Sequence, residues 1–294
     1  MNNIYRDKKH TLTLPSPAKI NLFLHINGKR DDGYHLLQTV FQFLDIHDTL
    51  EFTYNNQNTI TLSCDDKTLE SDNNLIIRAA KALKPFAKND AGIHIHLTKV
   101  LPMGGGVGGG SSNAATTLLA LNHLWQLNLS EQKLCELGLS LGADVPVFVK
   151  GQSVFAEGVG EIFTDLTGEK APKEMWYLLA IPPCHISTAS IFTHPELPRN
   201  TKTISPQMYS FENTKNDCQS IAKKLYPEVA NTIERLLEYA PTRLTGTGAC
   251  IFSCFEDKQS AEKAMTYLPK GVKGTVTKGQ NISATRQRLF EIFS

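Results

Sequence analysis

The chain has 294 residues, 41% of them hydrophobic and 20% charged, with a formal net charge of +1. That length holds two domains or one large one with ample core, and the near-neutral balance removes any general electrostatic case for a nucleic-acid or anionic-membrane partner. Six cysteines lie scattered without a C-x-x-C pair, and no signal peptide or long apolar run precedes them, so they read as reduced thiols of a cytoplasmic protein.

Residues 1–10, with Asn2, Asn3, Arg6, Lys8 and Lys9, have the composition of a loose tail. A strand is predicted from near Thr11. Ser16-Pro17 breaks its pattern, and Ala18 to Ile26 then alternates, with Ile20, Leu22, Leu24 and Ile26 on one face and Lys19, Asn21, Phe23 and His25 on the other. Lys19 and Asn21 therefore share a face, where a lysine is ordinarily solvated. Asn27 to Gly33 is a turn by composition, and Tyr34-His35 open an apolar strand segment, Leu36 to Leu44. Strands follow over Thr49 to Tyr54 and Thr59 to Ser63. Asp72 is placed to cap a helix from about Asn74 to Phe86. Ile93 to Leu97 alternates again; His94 and His96 on it have no further ligands nearby, which favours packing or surface over a metal site, and no metal-ligating residues are assigned.

Next comes the stretch from Pro102 to Thr117. Six of the seven residues from Gly104 to Gly110 are glycine, so the backbone can take positive φ and lie against a ligand with no Cβ in the way. Ser111, Ala114, Ala115, Leu118, Leu121, Asn122 and Trp125 recur at helical spacing, which predicts an amphipathic helix opened by these glycines. Free N–H groups at its start make an anion site, and the natural guest is a phosphate. Gly104, Gly106 and Gly109 fit the dinucleotide pattern G-x-G-x-x-G, but the region about 20 residues on, where an acidic residue should close a second strand, is a turn between helices. A P-loop also fails, because no lysine follows Gly110. A flexible linker would not feed directly into a strongly periodic helix.

Ser130 caps a predicted helix through Leu141 that Gly142 ends. Asp144, before Val145-Pro146, is an N-cap by position and is equally well placed to face a bound phosphate. Strand character returns at Val154-Phe155-Ala156 and Ile162-Phe163, and a polar stretch from Thr164 to Lys173 marks a domain boundary. Trp176 to Ile181 is a buried strand, Thr188 to Phe192 a short helix or turn, and His194 to about Asn216 a polar, proline-dotted region. A helix over Tyr226 to Tyr239, a second glycine turn at Thr245-Gly246-Thr247-Gly248 feeding a strand, a helix near Ser260 to Leu268 and a last strand over Gly271 to Thr277 complete the chain.

Five separated segments carry a family resemblance: Pro17-Ala18-Lys19-Ile20-Asn21-Leu22, Gly33-Tyr34-His35, Pro102 to Ser112, Gly142-Ala143-Asp144-Val145-Pro146-Val147-Phe148, and Thr245-Gly246-Thr247-Gly248-Ala249. In that order they resemble the motifs of the GHMP kinase superfamily, across about residues 11 to 290. The resemblance implies an α+β fold of two domains: an N-terminal, ATP-binding domain over 1–163, like the second domain of ribosomal protein S5, and a C-terminal α+β, substrate-side domain over 164–294. It implies ATP as co-substrate, with Mg2+, lying along Pro102, Met103, Gly104, Gly105, Gly106, Val107, Gly108, Gly109, Gly110, Ser111 and Ser112, with Asn74 and Lys99 on the adenosine side. Asp144 would take the proton from the acceptor hydroxyl and Lys19 would be its charge partner. The implied acceptor is a small molecule, a cytidine diphosphate derivative of methylerythritol, with its cytosine between Tyr34 and Phe192 beside His35 and its diphosphate and erythritol end at Asn21 and Thr188. Taken without the resemblance, Tyr34 and Phe192 would serve equally as core aromatics. Val107 stands where the superfamily loop often has leucine. The oligomeric state is left open between monomer and weak homodimer, and a mevalonate or homoserine type of kinase or a non-enzymatic nucleotide binder are the alternatives.

Overall fold

The computed structural model describes residues 11–55, 57–87 and 92–294, and the predicted tail, residues 1–10, lies outside the described residues. Two long strands, β1 (Thr11–Lys29) and β2 (His35–Asn55), pair antiparallel along nearly their whole length. Ser16-Pro17 does not end β1. The register shifts between Pro17 and Lys19, so a β-bulge absorbs the proline and the strand continues, re-aimed, through Lys19 and Asn21. Likewise the two apolar segments expected separately after Tyr34 are one strand, β2.

The halves of β2 serve different neighbours. Thr49 to Asn55 pairs with β4 (Gly92–Thr98), which runs parallel to β3 (Ile60–Cys64). Thr39 to Phe41 pairs with β5 (Val154–Glu157), which forms a hairpin with β6 (Ile162–Asp165). A second antiparallel group, β10 (Lys273–Gln280), β7 (Trp176–Ile181), β9 (Ile251–Phe255) and β8 (Thr242–Leu244), is joined to the first where Gly279 and Gln280 pair with Leu44 and Phe43. One sheet thus runs through both halves of the chain.

Helix α1 (Leu75–Leu83) is capped by Asn74, whose side chain accepts from the Ile76 N–H at 2.9 Å. Asp72 lies too far upstream to reach the first-turn amides and pairs with Lys81 instead. Helix α2 (Gly109–Leu124) departs from the amphipathic expectation, because it is buried on nearly all sides among α1, α3 (Glu131–Leu141), α4 (Val145–Lys150) and the β1–β2 pair. Two of its polar residues tolerate this by bonding within the core: the Thr117 hydroxyl donates to Asn113 O at 2.8 Å, and Ser112 Oγ accepts from Ser16 Oγ at 2.8 Å. Beyond α5 (Thr188–Phe192), the helices α7 (Pro227–Leu237) and α8 (Lys258–Met265) fall where periodicity placed them. Two others were not anticipated. Helix α6 (Cys218–Leu225) is a short element following the polar stretch, and α9 (Ala284–Phe293), capped by Ser283, returns to β1, where Thr285 Oγ1 donates to Pro15 O at 2.7 Å.

One buried carboxylate ties the sheet to the glycine loop. Asp48, on β2 and fully inaccessible, accepts from the backbone N–H of Val100 at 2.8 Å and of Leu101 at 2.7 Å. It also accepts from Asn113 Nδ2 at 3.1 Å and pairs with Lys99 Nζ at 3.0 Å. Every oxygen lone pair is used, which is what makes a buried charge tolerable. Asp48→Ala would leave an ammonium and two amides without their acceptor, so the urea midpoint should fall by the equivalent of about 3–5 kcal/mol at unchanged slope. An unaltered midpoint would mean that the loop entry is held by other contacts.

Candidate active site

The glycine loop, the starts of α2 and α4, and the segments around Tyr34, His185 to Thr193 and Gly246 to Gly248 enclose a cleft of about 1090 Å³. The loop was expected to need glycine so that a ligand could approach. The structure gives a different reason at two positions. At Gly106, with φ of 78°, an added Cβ would lie 2.4 Å from Thr245 O. At Gly108, with φ of 74°, it would lie 2.8 Å from the Phe148 ring and 3.2 Å from Lys19 Cε. The protein's own second glycine turn and the Phe148 and Lys19 side chains fill that space, with Cys250 N donating to Gly105 O at 3.1 Å and Thr245 Oγ1 to Gly106 O at 3.3 Å. The start of α2 is open to the cleft. Gly108 is the N-cap of α2 without any side-chain cap, so the first-turn amides remain as donors beside the cleft that Gly109, Gly110 and Ser111 line.

Lys19 is 2% exposed, against the solvated position expected for a strand lysine. Its Nζ donates to Asn21 Oδ1 at 2.7 Å and to Gly106 O at 3.3 Å, and lies 3.2 Å from Asp144 Oδ2. The bulge after Pro17 and the backbone bond from Lys19 N to Val107 O, 3.0 Å, set this position. Asp144 occupies the N-cap position of α4, but its side chain caps nothing. Its carboxylate is partly exposed to the cleft and paired with Lys19. Asn21 is itself fixed, Nδ2 donating to Thr39 Oγ1 and its backbone N–H to Thr245 Oγ1, both at 3.0 Å.

On the opposite chemical side, Tyr34 is 61% exposed and lines the cleft with His35, Thr188 and Phe192. His35 stacks on Phe192 with ring centroids 5.0 Å apart. Burial, followed by the charges of Arg199 and Lys29, holds the His35 pKa below the ordinary histidine value, which keeps the ring neutral. Thr188 Oγ1 lies 3.1 Å from Thr247 Oγ1, so the second glycine turn steadies this wall as well.

Asn74 and Lys99 also line the cleft, and both are engaged. The Asn74 amide caps α1 and donates to Leu69 O at 2.8 Å, while Lys99 is held by Asp48 and by Leu101 O. Of the residues expected along ATP, Pro102, Met103, Gly104, Gly105, Gly106, Gly108, Gly109, Gly110 and Ser111 line the cleft. Val107 and Ser112 do not. Val107 is fully buried in the core, and Ser112 is turned inward to Ser16. Asp48, His185 and Arg199 belong to the site's construction but carry no motif, and Asp48 falls between the two strand segments read from the sequence, where nothing local marks it. Among the described residues no group of three or more His, Cys, Asp or Glu side chains is placed to hold a metal, and His94 and His96 bond to Thr61 and Ser63 across β3 and β4.

The fold and this loop define a GHMP kinase. The family model for the GHMP kinases N terminal domain matches residues 74–152, and that for the GHMP kinases C terminal matches residues 199–274. A relative from Pseudoalteromonas atlantica, 4-diphosphocytidyl-2-C-methyl-D-erythritol kinase, is 51% identical over 280 residues, covering 95% of this chain and 96% of its own. The chain belongs to the 4-diphosphocytidyl-2-C-methyl-D-erythritol kinase family of the GHMP kinases. A solved 4-(cytidine 5'-diphospho)-2C-methyl-D-erythritol kinase superposes with a TM-score of 0.76 at 28% identity, over 92% of this chain and 100% of that one. The Methanococcus jannaschii mevalonate kinase reaches 0.70 at 16% identity over 94% of this chain and 100% of its own, a likeness that speaks for the fold alone. No helix among the described residues is long and apolar enough to cross a membrane.

Proposed function

We propose that this protein transfers the γ-phosphoryl group of ATP to the 2-hydroxyl of 4-diphosphocytidyl-2-C-methyl-D-erythritol, giving the 2-phosphate and ADP, a step of the non-mevalonate route to isoprenoids. The observation that carries the reading is a buried ammonium paired with a cleft-facing carboxylate, Lys19 and Asp144 at 3.2 Å, beside a helix start rich in free amides. Phosphoryl transfer asks mainly for positioning and for charge stabilisation, and these are the groups that supply both. The 51% identity to a relative of that name supports the acceptor over mevalonate or homoserine.

In this reading residues 1–163 form the nucleotide domain and 164–294 the substrate-side domain. The loop from Pro102 to Ser111 and the first turn of α2 hold the phosphates of ATP, with Asn74 and Lys99 toward adenosine. Asp144 accepts the proton as the 2-hydroxyl oxygen bonds to the γ-phosphorus and the bond to the bridging oxygen of ADP breaks. Lys19 keeps Asp144 oriented and offsets negative charge gathering on the transferred group. Tyr34 and Phe192 hold the cytosine with His35 at its edge, and Asn21 and Thr188 hold the diphosphate and erythritol end. For Mg2+, Asp144 is the cleft carboxylate beside the glycine loop, and one or two carboxylates completed by phosphate oxygens is the donor set this ion ordinarily takes. Bound there, Mg2+ would neutralise phosphate charge.

An ADP-release assay over a panel of alcohols tests the acceptor: turnover is expected with the cytidyl substrate, and preference for mevalonate or homoserine would overturn the assignment. Asp144→Asn should lower kcat by about 10²- to 10⁴-fold with ATP binding retained; undiminished turnover would remove Asp144 as the base. Tyr34→Ala should raise KM for the cytidyl substrate by about tenfold, the worth of one base–aromatic stack, while KM for ATP stays put. Equal rises in both would count against the sandwich.

A further inference from the structure

Arg199 lies outside every motif, yet four of the five N–H donors of its guanidinium are committed at the aromatic end of the cleft. Nη2 donates to Phe192 O at 2.8 Å and His194 O at 2.9 Å, and Nη1 to Leu197 O at 3.1 Å. A fourth donor, Nε, points at His35 Nε2, 3.1 Å away. A guanidinium has five N–H donors and no acceptor, so the nitrogen it meets must present a lone pair. The single proton of the neutral imidazole is then on Nδ1. Among the described residues nothing hydrogen-bonds to Nδ1, and His35 lines the cleft. The ring therefore offers an incoming base a donor and no acceptor.

We infer that Arg199 is a positioning and specificity residue: it locks His35 as the Nδ1–H tautomer and, through the Phe192 and His194 carbonyls, fixes the stack against which the base is read. This inference rests on the acceptor assignment above. Cytosine carries acceptors at N3 and O2, whereas uracil carries a donor at N3, so a fixed Nδ1–H donor favours the first and meets a hydrogen with the second. A histidine free to change tautomer would accept from uracil as readily as it donates to cytosine. The low basicity of His35 in this environment agrees, since an imidazolium would have to give up the bond from Arg199.

The test compares the cytidine substrate with its uridine diphosphate analogue in wild type, Arg199→Met, His35→Ala and the double variant. Arg199→Met should cut the preference for cytidine by about tenfold or more, the worth of one well-made hydrogen bond, with KM for ATP unchanged. In the His35→Ala background the same change should cost no further discrimination, a coupling that a merely structural role would not produce. Nitrogen-15 NMR of the imidazole, assigned by its absence in His35→Ala, should show Nδ1–H in wild type and a mixture of tautomers in Arg199→Met. Should Arg199→Met fail to fold, the wild-type tautomer and Arg199→Lys, which keeps a donor without the fork, carry the same reading. An Nε2–H tautomer in wild type, unchanged discrimination in Arg199→Met, or an undiminished effect in the His35→Ala background would each overturn it. Failure of wild type to use either alcohol would instead remove the acceptor assignment, and the specificity claim with it.

Discussion

The ammonium of Lys19 is the constraint on which the cleft is built. At 2% exposure it has lost its water, and a bare buried charge is costly unless paired and fully hydrogen-bonded. Its partners come from separate parts of the chain: Asn21 on the same strand, the Gly106 carbonyl on the glycine loop and the Asp144 carboxylate at the start of α4. Strand, loop and helix must all be in register before the charge is satisfied. That mutual dependence leaves a cation already oriented in the cleft; in the proposed reaction it stands where negative charge gathers, with little reorganisation left for the moment of transfer.

The glycine loop is held by the same economy of space. Gly106 gives way to the Thr245 carbonyl and Gly108 to Phe148 and Lys19, so the loop is wedged between the second glycine turn and the charged pair. A loop packed on protein from behind is more rigid than its composition suggests. The entropy of ordering it is spent on folding, leaving less to be spent when phosphate binds.

Much of this was legible in the residues. Alternation located most strands, helical spacing located α1, α2, α3, α7 and α8, and ordered motifs brought Lys19, Tyr34, His35, the loop, Asp144 and the second glycine turn to a single family. What local pattern could not convey was long-range. Ser16-Pro17 reads as a break because a proline lacks its N–H, but a partner strand with a bulge carries the strand across it. Helix α2 reads as amphipathic because serine, threonine and asparagine count as polar, yet Ser112, Thr117 and Asn113 find bonds inside, at Ser16, the Asn113 carbonyl and Asp48. Val107 and Ser112 share the loop's motif but not its exposed face, a distinction that depends on how the loop turns.

Asp48 and Arg199 extend the same reasoning to the two ends of the cleft. Each is a charged side chain that lies outside the motifs and spends nearly all its hydrogen-bonding capacity on backbone and on cleft-lining side chains, Lys99 and Asn113 in the first case and His35 in the second. Backbone contacts fix where the charged group sits, and the remaining bond fixes the orientation of the residue that faces the ligand. A side chain oriented this way offers a fixed pattern of donors and acceptors, and that fixity is what turns contact into discrimination. Because the two anchors lie on different elements and share no partner, the Lys99 end and the His35 end of the cleft can be perturbed separately. A kinase that must recognise two nucleotide-bearing molecules at once needs that separation, since a common anchor would couple every change at one base to the binding of the other.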